Sequence, residues 1–343
     1  MKALVLKEYN RLSYEEVARP EIGAEDVLVQ VRSCGICGSD VHGMDGSTGR
    51  RQPPIIMGHE ASGMIAEVGS AVTAWKVGER VTFDSTLYCG ACMFCRRGQI
   101  NLCDNRRVLG VSCSEYRRDG AFAEYVCVPE RILYRLPENI SFEHAAMVEA
   151  LSIAFHAVGR TPLSRDDSAA VFGAGMIGLL LVQALRAAGC GRIFVVDIAP
   201  ERLELARRFG AHMAFHPAGT DPAAEVIRMT DGRGVDAAFE AAGITDTVEW
   251  AVQSVRKGGL VTLIGNISPE VRLPLQRTVT RELTLFGSCA SSGEYPVCLE
   301  HLARGTVDVA PLISAVAPLS EGAAWFQRLY LKEKGLMKVV LVP

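Results

Sequence analysis

Ala169-Ala-Val-Phe-Gly-Ala-Gly-Met-Ile-Gly178 sets a short apolar run against a G-x-G-x-x-G turn. The glycine pattern alone is weak, and its surroundings give it weight. Ala169–Phe172 reads as a buried strand, Met176–Ala188 as a helix stopped by Gly189, and Arg192–Val196 as a second strand. Asp197 then stands 19 residues past Gly178, where such a strand-turn-helix-strand unit places an acid for a ribose hydroxyl. Gly173 would make the tight turn, Gly175 would let the backbone approach a pyrophosphate, and Gly178 would let the helix pack closely on the sheet. The helix N-terminus, carrying Met176 and Ile177, offers free N–H groups to the phosphates. Arg202, in the next helix, joins Asp197 as a cofactor contact. A carboxylate at position 197 repels a 2′-phosphate, and Ile198 follows it in place of an arginine, so NAD is expected rather than NADP.

Further along the chain, Glu201–Phe209 reads as a helix closed by Gly210. Apolar strands fit at Val235–Phe239, Leu260–Ile264 and Leu283–Phe286. Strand-helix alternation of this kind predicts a doubly wound parallel sheet. Toward the N-terminus the character changes. Asp26-Val-Leu-Val-Gln-Val-Arg32 alternates apolar and polar residues, and Gly and Pro recur at Arg19-Pro20, Pro53-Pro54, Gly69 and Gly78. That rhythm suits a barrel-like, β-rich domain. The tail ends in Met337-Lys-Val-Val-Leu-Val342, a strand able to pair back into the first domain. The expected organisation is a β-rich domain over 1–155, a nucleotide domain over 156–289, and a return to the first domain over 290–343.

Composition narrows the class. Of 343 residues, 49% are hydrophobic and 22% charged, as in an ordinary folded protein, and the length favours two domains. A net charge of −3 gives no reason to expect nucleic acid or an anionic membrane as partner. The most apolar run, Ala169–Val182, contains three glycines and is interrupted by Gln183 and Arg186, too soon for a membrane span. No signal peptide is read at Met1. Eleven cysteines, an odd number with C-x2-C spacings, favour metal over disulfides and a cytoplasmic address.

Two metal constellations of different chemistry stand out. Cys89, Cys92, Cys95 and Cys103 form C-x2-C-x2-C-x7-C, four thiolates that suit a closed structural Zn²⁺. The second comprises Cys34-Gly-Ile-Cys37-Gly-Ser39-Asp40-Val-His42, then Gly58-His59-Glu60-x2-Gly63-x5-Gly69-x2-Val72, and later Val148-Glu149-Ala150. Cys37, His59 and a carboxylate from Glu60 or Glu149 would make an open site, with one position left for water or substrate. Two zinc ions per chain are therefore expected.

Taken together, the Cys37 segment, the glycines after His59-Glu60, the cysteine quartet and the late nucleotide unit resemble the zinc-dependent medium-chain dehydrogenase family over nearly the whole chain. Within it, Glu149-Ala-Leu-Ser-Ile-Ala-Phe-His156 resembles the stretch of sorbitol (L-iditol) and related polyol dehydrogenases that carries a glutamate where classical alcohol dehydrogenases place a cysteine. The resemblance implies an α/β fold: a GroES-like β-rich catalytic domain plus a Rossmann doubly wound parallel sheet, assembled as dimers or tetramers. It also implies Cys37, His59 and a glutamate as catalytic-zinc ligands, the glutamate being Glu60 or Glu149: in the polyol branch Glu60 can bind the metal directly while Glu149 lies near it or exchanges with it. One departure concerns substrate: sorbitol-type enzymes tend to carry an aromatic residue shortly after the histidine equivalent to His42, where this chain has Gly43-Met44.

The reaction expected is reversible oxidation of a secondary hydroxyl of a polyol to a ketose, with NAD as hydride acceptor. Asp40 would orient the His59 ring, Ser39 would accept the alcohol proton, and His42 would pass it to solvent, as the resemblance also implies. Met44, Phe122, Ser288 and Ser291 are candidate pocket residues. Alternatives within the class are threonine, 2,3-butanediol and galactitol-1-phosphate dehydrogenases; outside it stands a nonenzymatic NAD-binding protein.

Overall fold

The computed structural model describes residues 1–343, which form two compact units. The first comprises Met1–Glu149, Ser292–Gly305 and Val309–Pro343, and the second Ala150–Ser291 with Thr306–Asp308.

In the first unit a seven-stranded sheet is built on Asp26–Gly35. Along one path the strands run Leu133–Arg135, Arg80–Phe83, Glu60–Val68, Asp26–Gly35, Lys338–Val342 and Ile313–Pro318, and Tyr125–Pro129 pairs separately with Asp26–Gly35. The C-terminal strand pairs antiparallel with the central one, Val340 opposite Gly35 and Leu341 opposite Cys34. The end of the chain is therefore part of the same sheet as the Cys34–Cys37 segment. On the other side of the central strand Glu60 sits opposite Gly35 and Ala61 opposite Cys34. Three strands far apart in sequence thus meet at Gly35.

The core of this unit gathers Leu4, Leu6, Val27, Val29, Val31, Phe83, Phe122 and Phe326. Phe122 is fully buried, with its ring edge-on to Phe326 at 5.6 Å. Met44 is a core member too, 3% exposed. Contrary to expectation, both pack in the core rather than line a pocket, because their apolar surface is already in contact with it.

The second unit is a six-stranded, wholly parallel sheet in the order Met213–Phe215, Arg192–Val196, Ser168–Phe172, Val235–Glu240, Val255–Leu263, Thr284–Gly287. In order of appearance along the chain this is 3-2-1-4-5-6, the doubly wound arrangement of dinucleotide-binding sheets. The Met176–Ala187 helix is buried from Gly178 to Leu185, which is why its sequence is apolar nearly all round. The strand expected at Leu260–Ile264 begins earlier, at Val255. Its register shifts against Val235–Glu240, and Gly258-Gly259 within it carries the look of a turn in sequence.

The divide between units falls after Glu149, earlier than Phe155, because the Val148–Arg160 helix belongs almost entirely to the second unit. Thr306–Asp308 also joins that unit. The Asp308 backbone is held by Gln183 of the Met176–Ala187 helix, donating to Oε1 at 2.7 Å and accepting from Nε2 at 2.9 Å.

Candidate active site

Cys37 lies at the entry to the short Gly38–Gly43 helix, and His59 immediately precedes the Glu60–Val68 strand. The two segments bring ligand atoms of Cys37, His59 and Glu60 within 4.8 Å of one another. His59 and Glu60 are buried, and Cys37 is partly exposed. Glu149, in the first turn of the Val148–Arg160 helix, does not join this group. Its Oε1 lies 3.4 Å from Ser85 Oγ, and burial pushes its carboxyl up to about 7. Cys34, the other half of the C-x2-C, is 1% exposed, packs in the core and takes no place in the cluster.

Behind His59 stands Asp40, fully buried, with Oδ2 3.4 Å from His59 Nδ1. That leaves the opposite ring nitrogen, Nε2, for a metal. The contact at Nδ1 is an ion-pair approach without hydrogen-bond alignment, so both atoms are orphaned donors or acceptors in a buried place. Electrostatics here favour positive charge. Burial alone would raise Asp40, but His59 and Arg51 hold it well below the usual carboxylate range. Burial alone would lower His59, but Asp40 and Cys37 hold it well above its ordinary value. A thiol, an imidazole and carboxylates in a pocket that rewards a cation fit a Zn²⁺ with mixed ligands.

Two residues absent from the sequence reading complete the site. Lys338, 3% exposed, donates to Glu60 Oε1 at 2.8 Å and Oε2 at 2.5 Å, and to the Ile36 carbonyl at 3.0 Å. Glu60 is thus bound on both oxygens by an ammonium across the sheet. Gly35 makes this possible: a Cβ there would overlap Glu60 Oε2. Arg51, 4% exposed, donates through Nε and Nη2 to Asp40 Oδ1 at 3.2 and 2.9 Å. Sequence offered one faint signal for Lys338, a lone charge opening an otherwise apolar strand. It offered none for Arg51 beside Arg50.

Ser39 and His42 are exposed and three residues apart on the Gly38–Gly43 helix, so they share a face. Ser39 Oγ lies 3.4 Å from Arg51 Nη2.

The four sulfurs of Cys89, Cys92, Cys95 and Cys103 also lie within 4.8 Å of one another. Cys89 and Cys95 sulfurs are 3.9 Å apart. A tetrahedral site with Zn–S bonds of about 2.3 Å has edges of about 3.8 Å, so the cluster fits the ion. Backbone N–H groups point at the sulfurs: Cys92 N at Cys89, Cys95 N at Cys92, Cys89 N and Asn105 N at Cys103, all 3.3–3.5 Å. Donors of this kind favour thiolates, and those of Ala91 N, at 3.5 Å, and Cys92 N bring Cys89 down to about 6. The short Met93–Arg96 helix buries nothing, so a metal held by the four sulfurs would supply what a core does not.

In the second unit Gly173 has φ +96°, and a Cβ on Gly178 would overlap the Gly173 carbonyl. The helix therefore packs against the turn only because position 178 has no side chain. A Cβ on Gly175 would meet nothing, leaving its face of the loop open. Met176 and Ile177 follow, partly buried. Asp197 accepts from Ala174 N at 2.6 Å and Ala199 N at 2.8 Å, and Arg202 Nη1 stands 3.9 Å from it. The acid thus ties the glycine turn to the following strand. Ser288 and Ser291 belong to this unit as well. No helix is long and apolar enough to cross a membrane.

Comparison with known proteins bears on the family and the fold. Residues 23–138 match the model of the alcohol dehydrogenase GroES-like domain, and residues 177–304 that of the zinc-binding dehydrogenases. The chain is 34% identical to sorbitol dehydrogenase of Bacillus subtilis, covering 100% of this chain and 97% of that protein. It is 36% identical to D-xylulose reductase A of Aspergillus oryzae, over 95% of this chain and 93% of that one. Among solved structures, 2R,3R-butanediol dehydrogenase of Bacillus subtilis superposes with a TM-score of 0.90 at 32% identity, covering 100% and 99% of the two chains. The chain belongs to the zinc-dependent medium-chain alcohol and polyol dehydrogenase family, oxidoreductases that work with zinc and a nicotinamide cofactor.

Proposed function

We propose that this enzyme oxidises a secondary hydroxyl of a polyol to a ketose, reversibly, with NAD as hydride acceptor. The observation that carries the reading is the grouping of Cys37, His59 and Glu60, with Asp40 behind the histidine. The names of its sorbitol and D-xylulose relatives support the substrate class. Zn²⁺ held by Cys37, His59 and a glutamate, Glu60 or Glu149, would supply a Lewis acid that lowers the pKa of a bound hydroxyl. Asp40 fixes the His59 ring from behind. Ser39 takes the alcohol proton on Oγ, and His42, on the same exposed helix face, hands it to solvent. The substrate carbon gives up a hydride to NAD as its C–O bond becomes a carbonyl, so one proton is released per NADH formed.

In the nucleotide unit, Gly173, Gly175 and Gly178 with the N–H groups at Met176 and Ile177 hold the diphosphate, and Asp197 with Arg202 faces the adenosine ribose. NAD over NADP rests on Asp197. Exchange to glycine (Asp197→Gly) removes the acceptor and leaves Arg202 free for a 2′-phosphate. The ratio of kcat/KM with NAD to that with NADP is expected to fall by about 10-fold to 100-fold, the worth of one or two charged hydrogen bonds. An unchanged ratio in steady-state assays contradicts the role given to Asp197.

Self-association into a dimer or tetramer is supported by apolar side chains left in water on the nucleotide unit: Ile267 is 72% exposed, Leu275 66% and Val279 65%. The cysteine quartet suits a reducing, cytoplasmic setting. The test of substrate class is a panel followed by NADH appearance: sorbitol, xylitol, galactitol, galactitol 1-phosphate, threonine and 2,3-butanediol. Highest kcat/KM on an unphosphorylated polyol is the expected result. Turnover confined to threonine or the butanediol would replace the polyol reading with that alternative.

A further inference from the structure

Arg51 is buried beside the site, yet neither metal ligation nor proton transfer is assigned to it. Its fork donates to Asp40 Oδ1 at 3.2 and 2.9 Å, Nη1 donates to the Arg50 carbonyl at 3.1 Å, and Nη2 lies 3.4 Å from Ser39 Oγ. The other oxygen of Asp40 faces His59 at 3.4 Å. Space for the arginine stem is provided by Gly43, where a Cβ would overlap Arg51 Cγ. One guanidinium therefore touches both the carboxylate behind the histidine ligand and the hydroxyl that takes the proton.

We propose that Arg51 is a positioning residue that couples metal retention to the proton relay. Two donors on Oδ1 fix the plane of the Asp40 carboxylate, which keeps Oδ2 on His59 and the ring aimed at the metal. At Ser39 the effect is directional. A hydroxyl has one hydrogen to give and two lone pairs to receive. With one lone pair occupied by Arg51, one remains for the incoming alcohol proton while the O–H serves the outgoing one. Arg51 gives up no proton itself; it sets which way the serine is wired. The inference rests on the dehydrogenase reading given above for Cys37, His59 and Ser39.

The test compares wild type with Arg51→Met, Arg51→Lys and Gly43→Ala, measuring zinc release to a chelator, kcat and the NAD dissociation constant. Arg51→Met is expected to release one of the two zinc ions about 10-fold to 100-fold faster, the usual cost of losing a partner behind a metal ligand. Its kcat should fall while NAD affinity holds. Arg51→Lys, which restores the charge without the fork, should recover zinc retention in part and kcat less. Gly43→Ala alters no charge and displaces the arginine stem, so it should move zinc release the same way by a smaller factor; it keeps the idea testable should Arg51→Met fail to fold. In an Asp40→Asn background the Arg51→Met effect on zinc release should largely vanish, because the arginine acts through Asp40. Wild-type zinc release in both Arg51→Met and Gly43→Ala, or an effect just as large in the Asp40→Asn background, overturns the proposal. Loss of thermal stability alone, with zinc release and kcat unmoved, reduces Arg51 to packing and also overturns it. If Cys37→Ala leaves zinc content and turnover intact, the parent reading fails instead.

Discussion

Replacement of Cys37 by alanine is expected to lower kcat by about 10³-fold or more, while NAD still binds and one zinc per chain remains. The size follows from charge stabilisation of several kcal/mol at the reacting oxygen, with each 1.36 kcal/mol worth about tenfold. Binding of NAD survives because the glycine turn and Asp197 belong to the other unit. His59→Ala should do the same. Cys34→Ala is the control. Cys34 shares the C-x2-C with Cys37, but its thiol is buried in the core and burial pushes its pKa well above the ordinary value. Its loss should cost some stability and leave kcat within a few-fold. Equal effects at the two cysteines, read from kcat and zinc content together, would remove the structural distinction drawn between them.

The second large effect is expected at Lys338. Its ammonium is buried against Glu60, and burial, which lowers its pKa, is outweighed by Glu60 and Cys37, so it stays charged. Lys338→Met leaves the Glu60 carboxylate, 1% exposed, without its counter-charge. Removing one partner of a buried pair costs about 3–5 kcal/mol, whereas removing both is often near neutral. Denaturant unfolding of zinc-stripped protein should therefore report a loss of that order for Lys338→Met, and recovery of much of it in Lys338→Met with Glu60→Gln. With zinc present the loss should shrink, because a released Glu60 has a cation beside it. A Lys338→Met loss no larger than that of Lys332→Met, whose lysine is exposed, would mean the pair is not a stabilising one.

The two halves of the chain differ in how much of them the sequence discloses. In the nucleotide unit Ala169–Phe172 and nearly all of Arg192–Val196 are apolar runs, and the turn after the first carries Gly173, Gly175 and Gly178, so these pieces can be read locally. The β-rich unit contains pairs as short as Ile55–Ile56, Thr86–Leu87 and Arg107–Val108, which have no periodicity to detect. Its site follows the same division. Cys37, His59, Glu60 and the cysteine quartet are marked by residue type and short spacing. Lys338 reaches Glu60 across 278 positions of sequence, through strand pairing alone. Arg51 is an arginine like its neighbour Arg50 until the fold buries one and exposes the other. Phe122 and Met44 erred in the opposite direction, since an apolar side chain near a site reads alike whether it lines a pocket or fills a core.

What the enzyme reading requires above all is that its chemistry depend on the cation beside Cys37 and His59. Zinc content, alcohol-dependent NADH formation and NAD binding, followed on one sample during slow chelation, address this directly. The expected result is a start near two zinc ions per chain and loss of activity in step with departure of one of them. NAD binding should persist throughout. Full turnover in protein stripped of zinc, or activity that tracks only the ion held by Cys89, Cys92, Cys95 and Cys103, would contradict it.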